Sequence, residues 1–215
     1  MSFSPKTPHS MISTFVLVLV FTMIKEGYED YQRYKQDKDM NNKLTKVLNP
    51  STMQWEIKKW QVLAPGDIVK IECDSEAPAD ICLLHTSNKS GIVFVDTMNL
   101  DGETSLKEKI TAHEYLDDRK LSFMQGELVC DPPNENLERW SGQMTYRSNI
   151  FKPHPTCIKN TFLRGCFLRN TDLIIGLVVY TGMDTKIMKN LKKPLHKVSN
   201  IMRLMNRMLY SVFAF

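Results

Sequence analysis

Residues 65–95 read PGDIVKIECDSEAPADICLLHTSNKSGIVFV, and three short apolar runs in this stretch each follow a turn signal. The runs lie at 68–71, 81–84 and 92–95, after Pro-Gly-Asp, Pro-Ala-Asp and Lys-Ser-Gly respectively. Short runs rich in isoleucine and valine, bounded by proline and glycine turns, are typical of strands. Closely spaced strands without helices between them predict a mainly β domain, built as a sandwich or jelly roll.

The strand pattern returns at 162–168 and 173–180, after a more polar stretch from about 112 to 155 that holds four prolines. We predict the polar stretch to be loop with some short strands. Residues 173–180 read LIIGLVVY, which is apolar enough for a central strand that is buried on both faces. The predicted β domain extends over residues 49–190.

The N-terminal region contains an apolar, uncharged run at 11–24, after a proline-containing loop at 1–10. At about 1.5 Å per residue this run spans roughly 21 Å, against a hydrocarbon core of roughly 30 Å. Three interpretations of this run are therefore open: a signal peptide, a buried core segment and a membrane helix. The charged residues that follow directly at 25–30 argue against a signal peptide. Basic residues are concentrated after the run, which favours a membrane helix with its C-terminal end in the cytosol.

Two further helical segments are expected on the cytosolic side of the membrane. Residues 25–48 predict a solvated stalk helix, with Glu29–Arg33 and Asp39–Lys43 at the favourable i, i+4 spacing. Residues 191–208 carry apolar residues at helical spacing among basic ones, and predict an amphipathic stalk helix. Residues 209–215 then turn apolar, and we expect them to be the first turns of another, truncated membrane helix.

Composition excludes several classes of site. The chain has 28 Lys and Arg against 24 Asp and Glu, an excess too small to indicate a nucleic-acid partner. The five cysteines include no Cys-x-x-Cys pair, and the five histidines are scattered. We therefore predict neither a disulfide framework nor a metal site in this chain.

Residues 99–104 read NLDGET and directly follow the predicted strand at 92–95. One interpretation is a hairpin turn, because Asp-Gly readily adopts the positive φ angles that tight turns need. The other is a functional loop, in which Gly102 lets the backbone approach a phosphate and Glu103 orients a water for attack. These residues alone favour the turn.

The loop Asp101-Gly102-Glu103-Thr104 resembles the actuator-domain signature of P-type ATPases. The form Asp-Gly-Glu-Thr is typical of the phospholipid-flippase branch (type IV), whereas cation pumps carry Thr-Gly-Glu-Ser. The surrounding sequence is similar in order and spacing, so that the resemblance covers nearly the whole chain: PGDIV at 65–69, PAD at 78–80, LRGC at 163–166 and YTGMDTK at 180–186.

This resemblance implies a distorted jelly-roll actuator domain on the cytosolic side of a multi-pass membrane protein, in the plasma membrane or an endomembrane. The pump would move a membrane phospholipid and cycle through an aspartyl phosphate formed from ATP with Mg²⁺, both bound by other domains. Glu103 would position the hydrolytic water, while Asp101, Gly102 and Thr104 would shape the loop and its phosphate contacts. The implied partners are the pump's own phosphorylation domain and an accessory β-subunit.

Two departures from the family pattern set the expected limits of the chain. The Asp-Lys-Thr-Gly-Thr phosphorylation motif does not occur in the sequence, so we expect a fragment that cannot pump by itself. Ser105 stands where the flippase branch commonly has asparagine, which can alter the loop's hydrogen bonding.

A cation pump is an alternative within the same superfamily. A noncatalytic, membrane-tethered β domain that acts as an interaction module is an alternative outside it.

Overall fold

The computed structural model of the protein describes residues 8–112, 126–146, 153–191 and Arg207. The chain begins with one long helix, α1 (Pro8–Asn41), and continues as a mainly β domain. Proline is well suited to the first turn of a helix, where its missing N–H is not needed. On α1, the ammonium of Lys25 lies 3.5 Å from the carboxylate of Glu29, one turn further on.

Twelve strands form the described part of the β domain, and every strand pairing is antiparallel. They are β1 (Leu44–Leu48), β2 (Trp55–Lys59), β3 (Ile68–Glu72), β4 (Asp80–Thr86), β5 (Ile92–Asp96), β6 (Lys107–Ile110), β7 (Gly126–Cys130), β8 (Ser141–Tyr146), β9 (His154–Cys157), β10 (Thr161–Phe162), β11 (Phe167–Arg169) and β12 (Leu173–Tyr180). Two short helices complete it, α2 (Met98–Asp101) and α3 (Lys186–Asn190). The predicted mainly β fold is confirmed.

A six-stranded sheet in the order β10-β4-β12-β3-β1-β2 forms the middle layer, between the sheets β11-β5-β6 and β7-β8-β9. Strand β4 shows the layering directly. Its Ile81 and Leu83 pack in the core shared with β5 and β11, while Cys82 and Leu84 pack in the core shared with β7 and β8. Because β4 is buried on both faces, its residues 81–84 read as an unbroken apolar run instead of alternating with polar residues.

Strand β12 lies between β4 and β3, and its predicted central, buried position is confirmed. Gly176 marks an irregularity in the pairing of β12 with β4. A Cβ added at Gly176 would lie 2.2 Å from the Cγ2 of Ile81 and 2.8 Å from the carbonyl oxygen of Cys82. The close approach of the two strands therefore requires glycine at this position.

Replacing Gly176 with alanine is expected to destabilise the domain by about 1–3 kcal/mol, because the added methyl group forces two packed strands apart. Urea unfolding of the chain measures the change. The matched control is Gly27→Ala on α1, where an added Cβ meets nothing within 4 Å. A loss of stability in Gly176→Ala no larger than in the control would contradict the packing argument.

Lys186, whose side chain is buried, links the sheet β7-β8-β9 to the rest of the domain. Its ammonium donates to Asn134 Oδ1 at 2.6 Å, to the carbonyl oxygen of Asn136 at 2.7 Å and to that of Arg139 at 2.9 Å. These three acceptors belong to the connection between β7 and β8. The lysine thus joins this connection to the start of α3.

The structure corrects the predicted N-terminal boundaries. Residues 44–48, which we assigned to the stalk helix over 25–48, form β1 in the central sheet, so the β domain begins at Leu44 and not at 49. The expected pair of Asp39 with Lys43 does not form within a helix, because α1 ends at Asn41 and the Lys43 ammonium lies 2.6 Å from Glu76. Residues 8–10, which we predicted to be loop, are helical, and residues 1–7 of that predicted loop lie outside the described residues.

The strand predicted over 162–168 is two strands in different sheets, β10 and β11. Gly165 adopts a φ of +84° between them, and the N–H of Arg164 donates to the buried carboxylate of Asp80 at 2.9 Å. Leu163 and Cys166, on either side of this turn, are buried and apolar, so the apolar pattern resumes at once and the sequence did not reveal the break.

Within residues 8–112, 126–146 and 153–191, no helix is both long and apolar enough to cross a membrane, contrary to our prediction of a membrane helix over 11–24. The predicted amphipathic helix over 191–208 and the apolar segment over 209–215 lie outside the described residues, apart from Leu191 and Arg207.

Candidate functional site

The loop predicted as functional connects β5 to β6, neighbouring strands in which Val95 pairs with Lys107. Its first half is the short helix α2, and Gly102 ends this helix with a φ of +77°. The N–H of Gly102 donates to the carbonyl oxygen of Met98 at 3.0 Å. The Asp-Gly pair is therefore a left-handed helix cap in a longer connection, and not the tight hairpin turn that the two residues alone favoured.

The base of the loop is held by contacts on three sides. The N–H of Met98 donates to Asp96 Oδ1 at 3.0 Å, which fixes the start of α2. The side-chain amide of Asn99 donates to the carbonyl oxygen of Gly165 at 3.4 Å, and Leu100 packs against the core shared with β5 and β11. The loop thus rests on the scaffold through its first four residues, and its exposed half follows Asp101.

The carboxylate of Asp101 is turned into the loop and accepts hydrogen bonds from three groups. These are the hydroxyl of Thr97 at 2.9 Å, the N–H of Glu103 at 3.0 Å and the ammonium of Lys107 at 2.5 Å. Partial burial acts to raise the pKa of Asp101, but these hydrogen bonds outweigh it and lower the pKa below its usual value. Asp101 therefore fixes the backbone at Glu103.

Glu103 lies on the exposed half of the loop, with 59% of its side chain exposed. Its carboxylate lies 3.2 Å from the ammonium of Lys107. Thr104 and Ser105 follow on the same exposed segment. Burial of Glu103 in the interior would have excluded any contact with a docking partner, whereas the observed position leaves the carboxylate available to one.

Lys107 is the residue at this site that the sequence analysis missed. It is the first residue of β6, and its ammonium contacts both Asp101 and Glu103. The hydrogen bond to Asp101 raises the pKa of Lys107 above its usual value, against the opposing effect of burial, and the hydrogen bond to Glu103 adds to the rise. The i, i+4 spacing of Glu103 and Lys107 was visible in the sequence, but only the pairing of β5 with β6 brings the lysine back under the loop.

Comparison with known proteins gives relatives along almost the whole chain. Phospholipid-transporting ATPase ID of Homo sapiens is 38% identical over 208 residues, which cover 95% of this chain and 17% of that protein. Probable phospholipid-transporting ATPase 12 of Arabidopsis thaliana is 38% identical over 99% of this chain and 18% of its own length. Phospholipid-transporting ATPase FetA of Mus musculus is 36% identical over 96% of this chain.

The chain spans less than a fifth of the length of these relatives. No family model matches it. Among solved structures, a zinc-transporting PIB-type ATPase crystallised in the E2.Pi state aligns with 81% of this chain and 22% of its own, at a TM-score of 0.41 and 14% identity.

Proposed function

We propose that this chain, which belongs to the phospholipid-transporting branch of the P-type ATPases, supplies the loop that promotes hydrolysis of the pump's aspartyl phosphate. The observation that carries the proposal is the exposed carboxylate of Glu103, held at the end of a loop whose base is fixed to a three-stranded sheet. A functional carboxylate has to be both accessible to a partner and restrained in position.

The proposed chemistry is general-base catalysis across a domain interface. When the loop docks on the phosphorylated domain, the Glu103 carboxylate accepts a hydrogen bond from one water and takes its proton as the water oxygen attacks phosphorus. The bond between phosphorus and the aspartyl oxygen breaks, which releases inorganic phosphate and restores the aspartate carboxylate. Holding the water in line with that bond supplies a further part of the rate, because positioning replaces a random encounter.

The neighbouring loop residues serve this step in different ways. Asp101 points inward and makes its hydrogen bonds within the loop, so its contribution is to hold the backbone N–H of Glu103. Gly102 provides the left-handed turn that carries the chain from α2 to Glu103. Thr104 is exposed beside Glu103, where its hydroxyl can contact the phosphate during docking.

The proposal also covers the activity of the full-length pump. The relatives are named for phospholipid transport, and we extend that substrate class to the full-length protein, together with a membrane location. ATP and Mg²⁺ would bind other domains and form the aspartyl phosphate. The loop would act on that group in its own pump, with an accessory subunit as a further partner.

Substitution of Gly102 by alanine in the full-length pump tests the proposal. An alanine costs about 1–2 kcal/mol in the left-handed conformation, so the loop relaxes and Glu103 moves from its position. Regaining that position on docking is expected to slow phosphoenzyme breakdown roughly tenfold, while phosphorylation from ATP persists. Breakdown is followed as loss of radioactive phosphate after a chase with unlabelled ATP.

The matched control is Gly66→Ala, at a turn before β3. Gly66 also has a positive φ, of +97°, and a Cβ added there also meets nothing within 4 Å, so the two substitutions introduce the same kind of strain in the same open space. Only Gly102→Ala is expected to slow breakdown. Equal breakdown rates in the two variants would argue against a role of the loop in hydrolysis.

A further inference from the structure

The ammonium of Lys107 joins the two carboxylates of the loop to the sheet. It lies 2.5 Å from Asp101 Oδ2 and 3.2 Å from Glu103 Oε2. Lys107 is itself part of β6, where its backbone pairs with Val95 in the same sheet. A strand position is more rigid than a loop position, so the lysine links the exposed end of the loop to the sheet.

Charge explains why a cation is needed there. Asp101 and Glu103 are two residues apart, and Asp101 is already committed to the backbone N–H of Glu103. Two carboxylates this close repel each other unless a cation lies between them. Without Lys107, the Glu103 side chain would turn away from Asp101 and lose its preferred direction.

The exposure of these three side chains indicates that their ion pairs affect the direction of Glu103 more than the stability of the domain. The side chains of Lys107, Asp101 and Glu103 are 37%, 27% and 59% exposed. Ion pairs this accessible to water contribute little to the free energy of unfolding. A misplacement of about 1 Å at a reacting group can nevertheless cost as much as a hundredfold in rate.

We propose that Lys107 is a positioning residue, which holds the Glu103 carboxylate in the direction needed for attack on the aspartyl phosphate. The inference rests on the proposed function of Glu103 and adds a residue to it. Lys107 does not contact the phosphate in this role; it acts through Glu103. Loss of its charge is therefore harmful only while a carboxylate is present at position 103.

The test measures phosphoenzyme breakdown in the full-length pump with Lys107→Met, Lys107→Gln and Lys107→Arg. We expect breakdown to slow about tenfold in the methionine and glutamine variants, and to stay within about threefold of wild type with arginine, which restores the cation. Phosphoenzyme formed from ATP shows that each variant is folded. Lys59→Met, which removes an exposed lysine from the distant strand β2, is the matched control and is expected to have no effect.

A double variant distinguishes positioning from a general structural role. In the Glu103→Gln background, Lys107→Met is expected to slow breakdown by less than twofold more. A full additional tenfold effect would overturn the inference, because the lysine would then act independently of the carboxylate. Normal or faster breakdown in Lys107→Met would overturn it too, and would leave the proposed function standing if Glu103→Gln alone is slow. Normal breakdown in both single variants would reject the proposed function itself.

Discussion

Replacing Glu103 with glutamine is expected to slow phosphoenzyme breakdown by roughly a hundredfold, the scale on which loss of a positioned general base acts. Formation of the phosphoenzyme from ATP should persist, because that step does not use the loop. The variant should therefore accumulate phosphoenzyme in the presence of ATP. A chase with unlabelled ATP, followed by acid quenching over time, gives the breakdown rate directly.

Glutamine is the informative replacement because it keeps the size of the side chain and one oxygen acceptor. That oxygen can still accept a hydrogen bond from the Lys107 ammonium, which lies 3.2 Å from the carboxylate in the native loop. The direction of the side chain is then largely retained, while its ability to take a proton is lost. A large decrease in rate would thus report on basicity rather than on a displaced loop.

Glu108→Gln is the matched control for this measurement. Glu108 is an exposed glutamate on β6, one residue after Lys107, and its replacement makes the same change of charge close to the loop. Its breakdown rate should stay close to that of the wild type. If Glu103→Gln and Glu108→Gln turned over their phosphoenzymes equally fast, Glu103 would have no part in hydrolysis.

The sequence predicted the β domain well where strands are buried on both faces. Strands β4 and β12 are such strands, and their unbroken apolar runs set them apart from the turns on either side. The sheet β7-β8-β9 was harder to foresee, because its strands expose much of their surface and contain polar residues and a proline. A strand with one exposed face leaves only a weak apolar signal in the sequence.

At the candidate site, the resemblance supplied Asp101 to Thr104 but not the arrangement that holds them. The helix cap at Gly102 depends on α2, which is too short to leave a periodic pattern. The position of Lys107 beneath the loop depends on the register of β5 with β6. Both features depend on the folded arrangement of the chain, and a local sequence pattern does not reveal them.

The second large effect is expected at Lys186: replacing it with methionine should destabilise the domain by about 1–3 kcal/mol. Only 1% of the residue is exposed, and methionine fills a similar volume, so packing is largely retained. What is lost is the ammonium that serves the three oxygens of Asn134, Asn136 and Arg139. An acceptor shielded from water and left without a donor costs about 1–3 kcal/mol. Asn134 is half-buried and Asn136 and Arg139 are exposed residues, so water replaces part of the lost hydrogen bonding, and removal of a buried charge offsets a further part.

The same burial lowers the pKa of Lys186, against the attraction of Asp80 and Asp131. Lys186 also makes a contact through its backbone, since its N–H donates to the Asp80 carboxylate at 2.6 Å. That backbone contact does not depend on the side chain. The methionine variant should therefore keep the start of α3 in place and loosen chiefly the connection between β7 and β8.

Urea unfolding of the chain measures the global loss, and hydrogen exchange of residues 131–140 measures the local one. Lys189→Met is the matched control, because Lys189 lies on the same helix with 40% of its side chain exposed, 3.0 Å from Asp184. Exposed pairs of this kind contribute about 0–1 kcal/mol. Equal stability losses at the two positions would contradict the anchoring role of Lys186. A much larger loss at Lys186, with faster exchange in 131–140, would show that the buried ammonium stabilises the connection between β7 and β8.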